Sequence, residues 1–165
     1  MTAGMRALAV WGVLPKTRVG LESGAELELS RLVGVTAAVG FLPSVKTANE
    51  RFGFGLLAAS VGPCFTVARV PRTRLALCTE AQLGAIQAVV FDAEPLPRTE
   101  HFWFAVRSGL RLGQRLFGPL GIELGAQALV PLIRHDFALT GVAKPVYQAR
   151  AVGFWGSVGL TASIP

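Results

Sequence analysis

Residues 119–133 have the sequence PLGIELGAQALVPLI, in which hydrophobic residues recur at every second position. One parity is almost wholly apolar and consists of Leu120, Ile122, Leu124, Ala126, Ala128, Val130 and Leu132. The other parity consists of Gly121, Glu123, Gly125, Gln127 and Leu129. Successive side chains of a β-strand point to opposite faces, whereas a helix would spread both sets around its circumference. The pattern therefore predicts a strand with one apolar face and one face of glycine and polar residues.

The same alternation recurs in four further segments, at residues 19–29, 75–85, 104–112 and 152–164. In a soluble sandwich the apolar parity would face the core, and the other parity would be rich in Lys, Thr and Glu. Here that other parity is dominated by glycine and alanine, with a few charges. Such a face suits the cramped interior of a closed barrel better than a water-exposed surface.

The composition indicates where the apolar parity points. The chain has 165 residues, of which 52% are hydrophobic and only 16% charged, whereas soluble domains carry about 25% charged residues. The longest uncharged stretch, Phe52–Ala68, contains Gly53, Gly55, Gly62 and Pro63. It is too short and too broken for a spanning helix of about 20 apolar residues. A closed barrel is the other structure that satisfies every backbone group in lipid, so we expect one all-β domain over 1–165, an up-and-down antiparallel transmembrane β-barrel.

Turn-forming residues divide the chain into about eight strands. The predicted strands are 6–14, 17–30, 32–42, 51–65, 72–91, 101–115, 119–134 and 146–164. The short connections are Ser30-Arg31, Val67–Pro71 and Gln114–Gly118, and the longer ones are Pro43–Glu50, Asp92–Glu100 and His135–Pro145. Outer-membrane barrels alternate short periplasmic turns with long outer loops. An even strand number then places both termini on the periplasmic side.

The chain resembles the small outer-membrane β-barrel proteins of Gram-negative bacteria, with the OmpA/OmpX-type architecture. The resemblance is carried by Leu75–Cys78, Leu110–Leu112, Gly118–Leu120, Ala128–Leu132 and the closing strand to Pro165. It implies a fold and an outer-membrane location, and it carries no activity. It also implies a last strand recognised by the barrel assembly machinery. The spacing of Ser157, Gly159, Ala162 and Ile164 fits that signal.

Charged and amide side chains collect on the inward parity. They are Glu22, Glu26, Glu28, Glu80, Gln82, Arg107, Arg111, Glu123 and Gln127. The interior of an eight-stranded barrel is only wide enough for side chains to fill it, and buried charges there must pair. We interpret the set as a polar network that plugs the lumen. The alternative interpretation is a narrow polar path or a buried acid/base pair.

Two cysteines, Cys64 and Cys78, flank the predicted Val67–Pro71 turn almost symmetrically. A disulfide between them suits an oxidising envelope. The inferred parity points Cys78 inward but Cys64 to the other face, unless Pro63 marks a bulge. The sequence therefore leaves the bridge open. Two cysteines without nearby histidines cannot fill a zinc shell, and we expect no metal.

Aromatic residues lie near the strand ends on the long-loop side. They are Phe52, Phe54, Phe91, Phe102, Trp103, Phe104, Tyr147 and Trp155. Aromatic girdles at the lipid headgroups account for such positions, and a site where a ligand stacks is the alternative.

The net charge of +6 does not indicate nucleic-acid binding, because the basic residues lie mostly at segment ends rather than along one stripe. On the long-loop side we expect contacts to phosphates of lipopolysaccharide. The candidate residues are Lys46, Arg51, Arg98, Arg134 and Lys144. The leading hypothesis is a non-enzymatic barrel with a structural or surface-interaction role, with neither catalytic residues nor a cofactor. The alternatives are a lipid-modifying enzyme that uses His101 or His135, and a small channel. The oligomeric state stays open.

Overall fold

The computed structural model describes residues 1–14, 16–46, 52–90, 98–133, 136–137, 147–148 and 150–164. Its strands are β1 (Thr2–Trp11), β2 (Arg18–Glu28), β3 (Val33–Lys46), β4 (Phe52–Val70), β5 (Thr73–Val90), β6 (Arg98–Phe117), β7 (Leu120–Pro131), β8 (Asp136–Phe137), β9 (Tyr147–Gln148) and β10 (Gly153–Ser163). Eight of these form a closed barrel in the order β1-β10-β7-β6-β5-β4-β3-β2. Every neighbouring pair is antiparallel. The predicted all-β, up-and-down barrel is confirmed.

Within the described part of the chain, no helix has the length and apolar character needed to cross a membrane.

Pairing between β1 and β10 closes the barrel. It runs from Thr2 opposite Ser163 to Trp11 opposite Phe154, and the Ile164 amide donates to the Met1 carbonyl at 2.7 Å. The first strand therefore occupies 2–11, and the predicted range 6–14 is wrong at both ends. Gly12 has a φ of 85°, a conformation that favours glycine, and the chain turns there. Val13 and Leu14 are buried beyond that turn.

The two rims of the barrel differ. One rim, here called the turn end, carries both termini and the connections 29–32, 71–72 and 118–119. The Ser30 hydroxyl accepts a hydrogen bond from the Val33 amide at 3.1 Å, and Gly118 has a φ of 53°. The opposite rim, here called the loop end, carries the other strand termini, including Lys46 and Arg98. Most residues of the three predicted long connections lie outside the described part of the chain.

Several predicted turn positions are wrong because strands continue past irregular pairing. Shifts in register between Leu42 and Val45, between Thr66 and Ala68, and between Arg115 and Phe117 act as bulges. A bulge lets a strand absorb an extra residue without ending. The predicted turns Val67–Pro71 and Gln114–Gly118 therefore shrink to 71–72 and 118–119, and Pro43 lies within β3. The closing strand begins at Gly153 rather than at 146, and β9 pairs with β8 instead.

Aliphatic side chains cover the outer face of the barrel. Exposed examples from seven of the barrel strands are Leu21, Leu27, Val39, Leu57, Val61, Leu77, Leu83, Leu110, Leu124, Val158 and Leu160. Their strand neighbours on the opposite parity point into the barrel. Charged and polar residues occupy the middle of the interior, and apolar residues fill its loop-end half. We call the exposed aliphatic residues of the outer face the outer apolar band.

Part of the predicted aromatic girdle is wrong. Trp103, Trp155 and Phe54 are buried inside the barrel at 0%, 1% and 3% exposure. Trp11, Phe102 and Phe154 are exposed near the loop end, and the rings of Trp11 and Phe154 stack with centroids 5.5 Å apart. Phe104 is half-buried. Phe91 lies outside the described residues, and the same holds for the side chains of Phe52 and Tyr147.

Candidate functional site

A cluster of paired charges crosses the middle of the barrel. Arg107 on β6 donates from Nη1 to Glu22 Oε2 at 2.6 Å and from Nε to Glu80 Oε2 at 2.9 Å. Its Nη2 donates to Glu80 Oε2 at 2.5 Å and to Ser60 Oγ at 2.9 Å. Arg107 and Glu80 are both 0% exposed. Buried charges of this kind persist only when hydrogen bonds satisfy them, and this guanidinium has three partner side chains.

Glu80 on β5 is the centre of the cluster. One of its oxygens accepts from Arg111 and, at 3.2 Å, from Gln127 Nε2. Its other oxygen accepts from Arg107 and, at 3.0 Å, from Ser60 Oγ. A carboxylate offers about four lone-pair sites, so this carboxylate is fully used. Glu80 thereby joins β4, β6 and β7 across the interior.

Arg6 on β1 completes the cluster. It forms an ion pair from Nε to Glu22 Oε1 at 3.3 Å and donates from Nη1 to Glu123 Oε1 at 2.6 Å. We call Arg6, Glu22, Glu80, Arg107, Arg111 and Glu123 the central ion-pair layer. Its three arginines balance its three glutamates. The net charge of the chain therefore comes from residues outside this layer.

Toward the loop end the interior becomes apolar. The apolar layer consists of Leu8, Val10, Val13, Leu14, Leu42, Phe54, Leu56, Ala58, Ile86, Trp103, Ala105, Leu129 and Trp155. Gln82 lies at its boundary, where it accepts from Trp103 Nε1 at 3.1 Å. The Arg107 guanidinium lies 4.8 Å from the centre of the Trp155 ring. The apolar layer thus stacks directly on the central ion-pair layer.

Cys64 and Cys78 form a disulfide. They are direct partners on β4 and β5, and both are 0% exposed. The inferred parity of Cys64 is wrong: Val61 pairs with Ala81 and Cys64 with Cys78 in one register, so there is no bulge at Pro63. Both faces of β4 are largely apolar, and sequence alternation therefore cannot show which face of this strand points inward.

Glu26 and Glu28 lie apart from the central layer, toward the turn end. Arg74 Nη2 lies 2.5 Å from Glu26 Oε1, and its Nη1 lies 3.6 Å from Glu28 Oε1. Arg69 Nη2 donates to Glu28 Oε1 at 2.6 Å. These side chains line a cavity of about 480 Å³ that opens at the turn end, which we call the vestibule. The predicted lumen residues are therefore divided between the vestibule, the central layer with Gln127 bound to its Glu80, and the boundary residue Gln82.

Sequence alternation missed Arg6, Thr36, Ser60 and Arg74. Arg6 is the only charged residue of β1. The stretch Ala7–Val10 that follows it is apolar on both parities, so alternation assigns no inward face to this strand. The isolated charge of Arg6 was the signal that could have identified it as an interior residue. Thr36 accepts from Arg111 Nη1 at 3.1 Å, and it stands among glycine and alanine on the inward parity of β3. Arg74 is the second residue of β5; the predicted strand 72–91 contained it, but it was not assigned to the lumen.

The structure describes only some of the loop-end residues that were predicted to contact lipopolysaccharide or to serve a lipid-modifying enzyme. Lys46 ends β3 and Arg98 begins β6, with only their backbone described. Arg51, Arg134, His135 and Lys144 lie outside the described residues. His101 is half-buried on β6 opposite Ile86. Among the residues that the structure describes, no group of three or more His, Cys, Asp and Glu side chains could hold a metal ion.

Comparisons with known proteins agree with this architecture. No family model and no curated protein matches the sequence. The attachment invasion locus protein Ail of Yersinia pestis, solved in complex with the heparin analogue sucrose octasulfate, is 11% identical, with a TM-score of 0.57 over 98% of this chain and 94% of Ail. The Neisserial surface protein A (NspA) is 10% identical, with a TM-score of 0.58 over 99% of this chain and 95% of NspA. At these identities the likeness concerns the fold, and the fold is that of the small barrels to which the sequence resemblance pointed.

Proposed function

We propose that this chain is an outer-membrane barrel with a plugged lumen that acts without catalysis, through the surface at its loop end. One observation supports the proposal, namely that apolar residues face outward while paired charges and apolar side chains occupy the middle and the loop-end half of the interior. The central ion-pair layer and the apolar layer lie one above the other. Such a molecule offers its outer band to lipid and its loop end to external partners.

The outer apolar band supports the membrane location. The barrel strands have 10 to 20 residues, and a tilted strand needs about 9–11 to cross the hydrocarbon. The short connections and both termini lie at the turn end, which we assign to the periplasm because outer-membrane barrels place their short turns there. Membrane fractionation tests the location, together with a heat-modifiable gel shift of the extracted protein. Recovery in the soluble fraction would refute it.

The filled interior favours a structural or interaction role over a small channel. Reconstitution in planar bilayers should give no unitary conductance in the wild type, with a porin in the same bilayers as the positive control. Reproducible single-channel steps would make a channel the better assignment. Mass spectrometry of outer-membrane lipids, with and without the protein, tests the enzymatic alternative. A lipid product that appears only with the protein would replace the non-enzymatic assignment.

The proposed external partner is the phosphate-bearing surface of lipopolysaccharide. Its contacts are assigned to Lys46, Arg51, Arg98, Arg134 and Lys144, since guanidinium and ammonium groups pair strongly with phosphate oxygens. Ail, which shares the fold, was solved with a sulfated sugar, and this supports an anionic ligand for the present chain. Replacement of all five residues by glutamine should weaken binding to lipopolysaccharide vesicles. The matched control replaces Arg31, which is exposed at the turn end and outside the vestibule, and should bind as the wild type does.

We also propose that the barrel assembly machinery recognises the closing strand. Ser157, Gly159, Ala162 and Ile164 have the spacing of such a signal, and β10 forms the closing seam with β1. Replacement of Ile164 by aspartate should slow appearance of the folded barrel in cells, while refolding in detergent stays unchanged. Equal effects in both settings would indicate a folding defect instead.

A further inference from the structure

The vestibule at the turn end has a surplus of positive charge. The charged residues that line it are Glu26, Glu28, Arg69, Arg72, Arg74, Arg115 and Glu123. Each carboxylate already has a partner: Glu26 pairs with Arg74, Glu28 with Arg69, and Glu123 with Arg6. Arg72 and Arg115 form no ion pair with any described residue. The cavity therefore holds two guanidinium groups whose charge is not neutralised within the described protein.

Arg72 and Arg115 lie side by side. The Arg115 amide donates to the Arg72 carbonyl oxygen at 2.7 Å, which joins the β4–β5 turn to the end of β6. Both residues are exposed and line the same cavity. Guanidinium groups bind phosphate through paired N–H donors. Two arginines that line one cavity can together engage several oxygens of one phosphate group.

The rest of the vestibule suits a polar molecule that carries this phosphate. Its volume of about 480 Å³ exceeds what a bare phosphate needs and lies within the range of about 300–1,000 Å³ typical of ligand pockets. The hydroxyl residues Thr2, Thr161 and Ser163, which lie on the inward parity of β1 and β10, also line its wall. Glu123, which binds Arg6, lies on the inner side of the cavity, and the central layer closes the way beyond it. The cavity therefore has the size and the polar lining of a ligand pocket.

We propose that the vestibule binds a phosphate-bearing polar molecule, with Arg72 and Arg115 as its phosphate ligands. The same chemistry is available from a soluble phosphorylated compound and from the headgroup of an anionic phospholipid. The site does not depend on the loop-end function proposed above, because it uses only residues at the opposite rim.

Binding is tested with the full chain refolded in phospholipid-free zwitterionic micelles. Glycerol 3-phosphate and inorganic phosphate are titrated while arginine side-chain resonances and heats of binding are followed. The double variant R72Q/R115Q should bind about tenfold or more weakly, because it loses the charged hydrogen bonds to the phosphate. The matched control is R31Q, since Arg31 is exposed in a turn-end connection but does not line the cavity. It should change the affinity by less than about twofold, as expected for a distant surface charge.

A second arm separates the two sources of phosphate. If the ligand is a lipid headgroup, nanodiscs of phosphatidylglycerol should shift the side-chain resonances of Arg72 and Arg115. Saturable binding of glycerol 3-phosphate in micelles indicates a soluble ligand. Both results support the site. The absence of saturable binding in both settings would overturn it, and so would equal losses in R31Q and R72Q/R115Q. If the double variant fails the heat-modifiability test, R72Q and R115Q are measured singly, and an unchanged affinity in both would also overturn the site.

Discussion

The guanidinium of Arg107 lies 4.8 Å from the centre of the Trp155 ring, and this contact joins the charged and apolar halves of the barrel interior. The same guanidinium uses its N–H groups on Glu22, Glu80 and Ser60. A Cβ at Gly40 would lie 3.4 Å from Trp155 Cζ2, so the indole lies close against the β3 backbone. Arg107 is thus fixed both by hydrogen bonds in its plane and by an aromatic face, an arrangement that favours a cation.

Replacement of Arg107 by alanine should strongly destabilise the barrel. The change removes one of the two cations that pair with each of the buried carboxylates of Glu22 and Glu80, and breaking a buried pair in this way costs about 3–5 kcal/mol. The measurement is the free energy of unfolding in detergent by urea titration. Arg69→Ala is the control, since Arg69 and Glu28 are 40% and 42% exposed and exposed pairs contribute about 1 kcal/mol or less. Equal losses of unfolding free energy in both variants would show that burial does not determine how strongly these ion pairs stabilise the barrel.

The fold was predictable wherever the two faces of a strand differ. In β7, Leu120, Leu124 and Val130 alternate with Glu123 and Gln127, and the pattern gives both the strand and its inward face. In β4 both faces carry alanine, leucine and glycine, and hydrophobicity contains no information about which face points inward. That is why the orientation of Cys64 could not be inferred. The inward position of Trp103 could have been predicted from the sequence, because it shares the parity of Arg107 on the same strand.

Replacement of Trp155 by alanine should cost far more than the same change at Trp11. Trp155 is 1% exposed inside the apolar layer, whereas Trp11 is 50% exposed on the outer face. Truncation of a buried tryptophan typically costs about 3–5 kcal/mol, and the variant also loses the contact with Arg107. Thermal unfolding in detergent compares the two variants directly. A larger loss for Trp11→Ala would indicate that the girdle, rather than the interior, stabilises the barrel.

The disulfide should resist reduction as long as the barrel stays folded. Cys64 and Cys78 are both fully buried, and thiol–disulfide exchange requires access to a sulfur atom. Incubation with dithiothreitol should leave the bridge intact in detergent and reduce it in urea, as monitored by maleimide labelling. The C64A/C78A variant should still form the barrel, with a loss of about 3 kcal/mol expected for a loop of about 15 residues. Rapid labelling of the folded wild type would contradict this burial.

The site was less predictable than the fold because it depends on which strands become neighbours. Arg6 reaches Glu123, which is 117 residues away in sequence, only because β1 and β7 both flank β10 after closure. Alternation assigns a face to each strand, yet it carries no information on register between distant strands. The division of the glutamates between the vestibule and the central layer depends on that register.

Replacement of Leu124 by arginine tests what surrounds the outer apolar band. Leu124 is 47% exposed, and it follows Glu123 of the central layer along β7, so it lies on the outside at mid-barrel height. An arginine facing lipid at the bilayer midplane costs about 2–4 kcal/mol, and near the interface about 0–1 kcal/mol. Leu32→Arg is the matched control, because Leu32 is 66% exposed in the connection between β2 and β3 at the turn end. Unfolding free energies of both variants are measured in phospholipid vesicles. If the stability of Leu124→Arg were unchanged, the band would face water rather than hydrocarbon, because an arginine in water at this exposed position costs almost nothing.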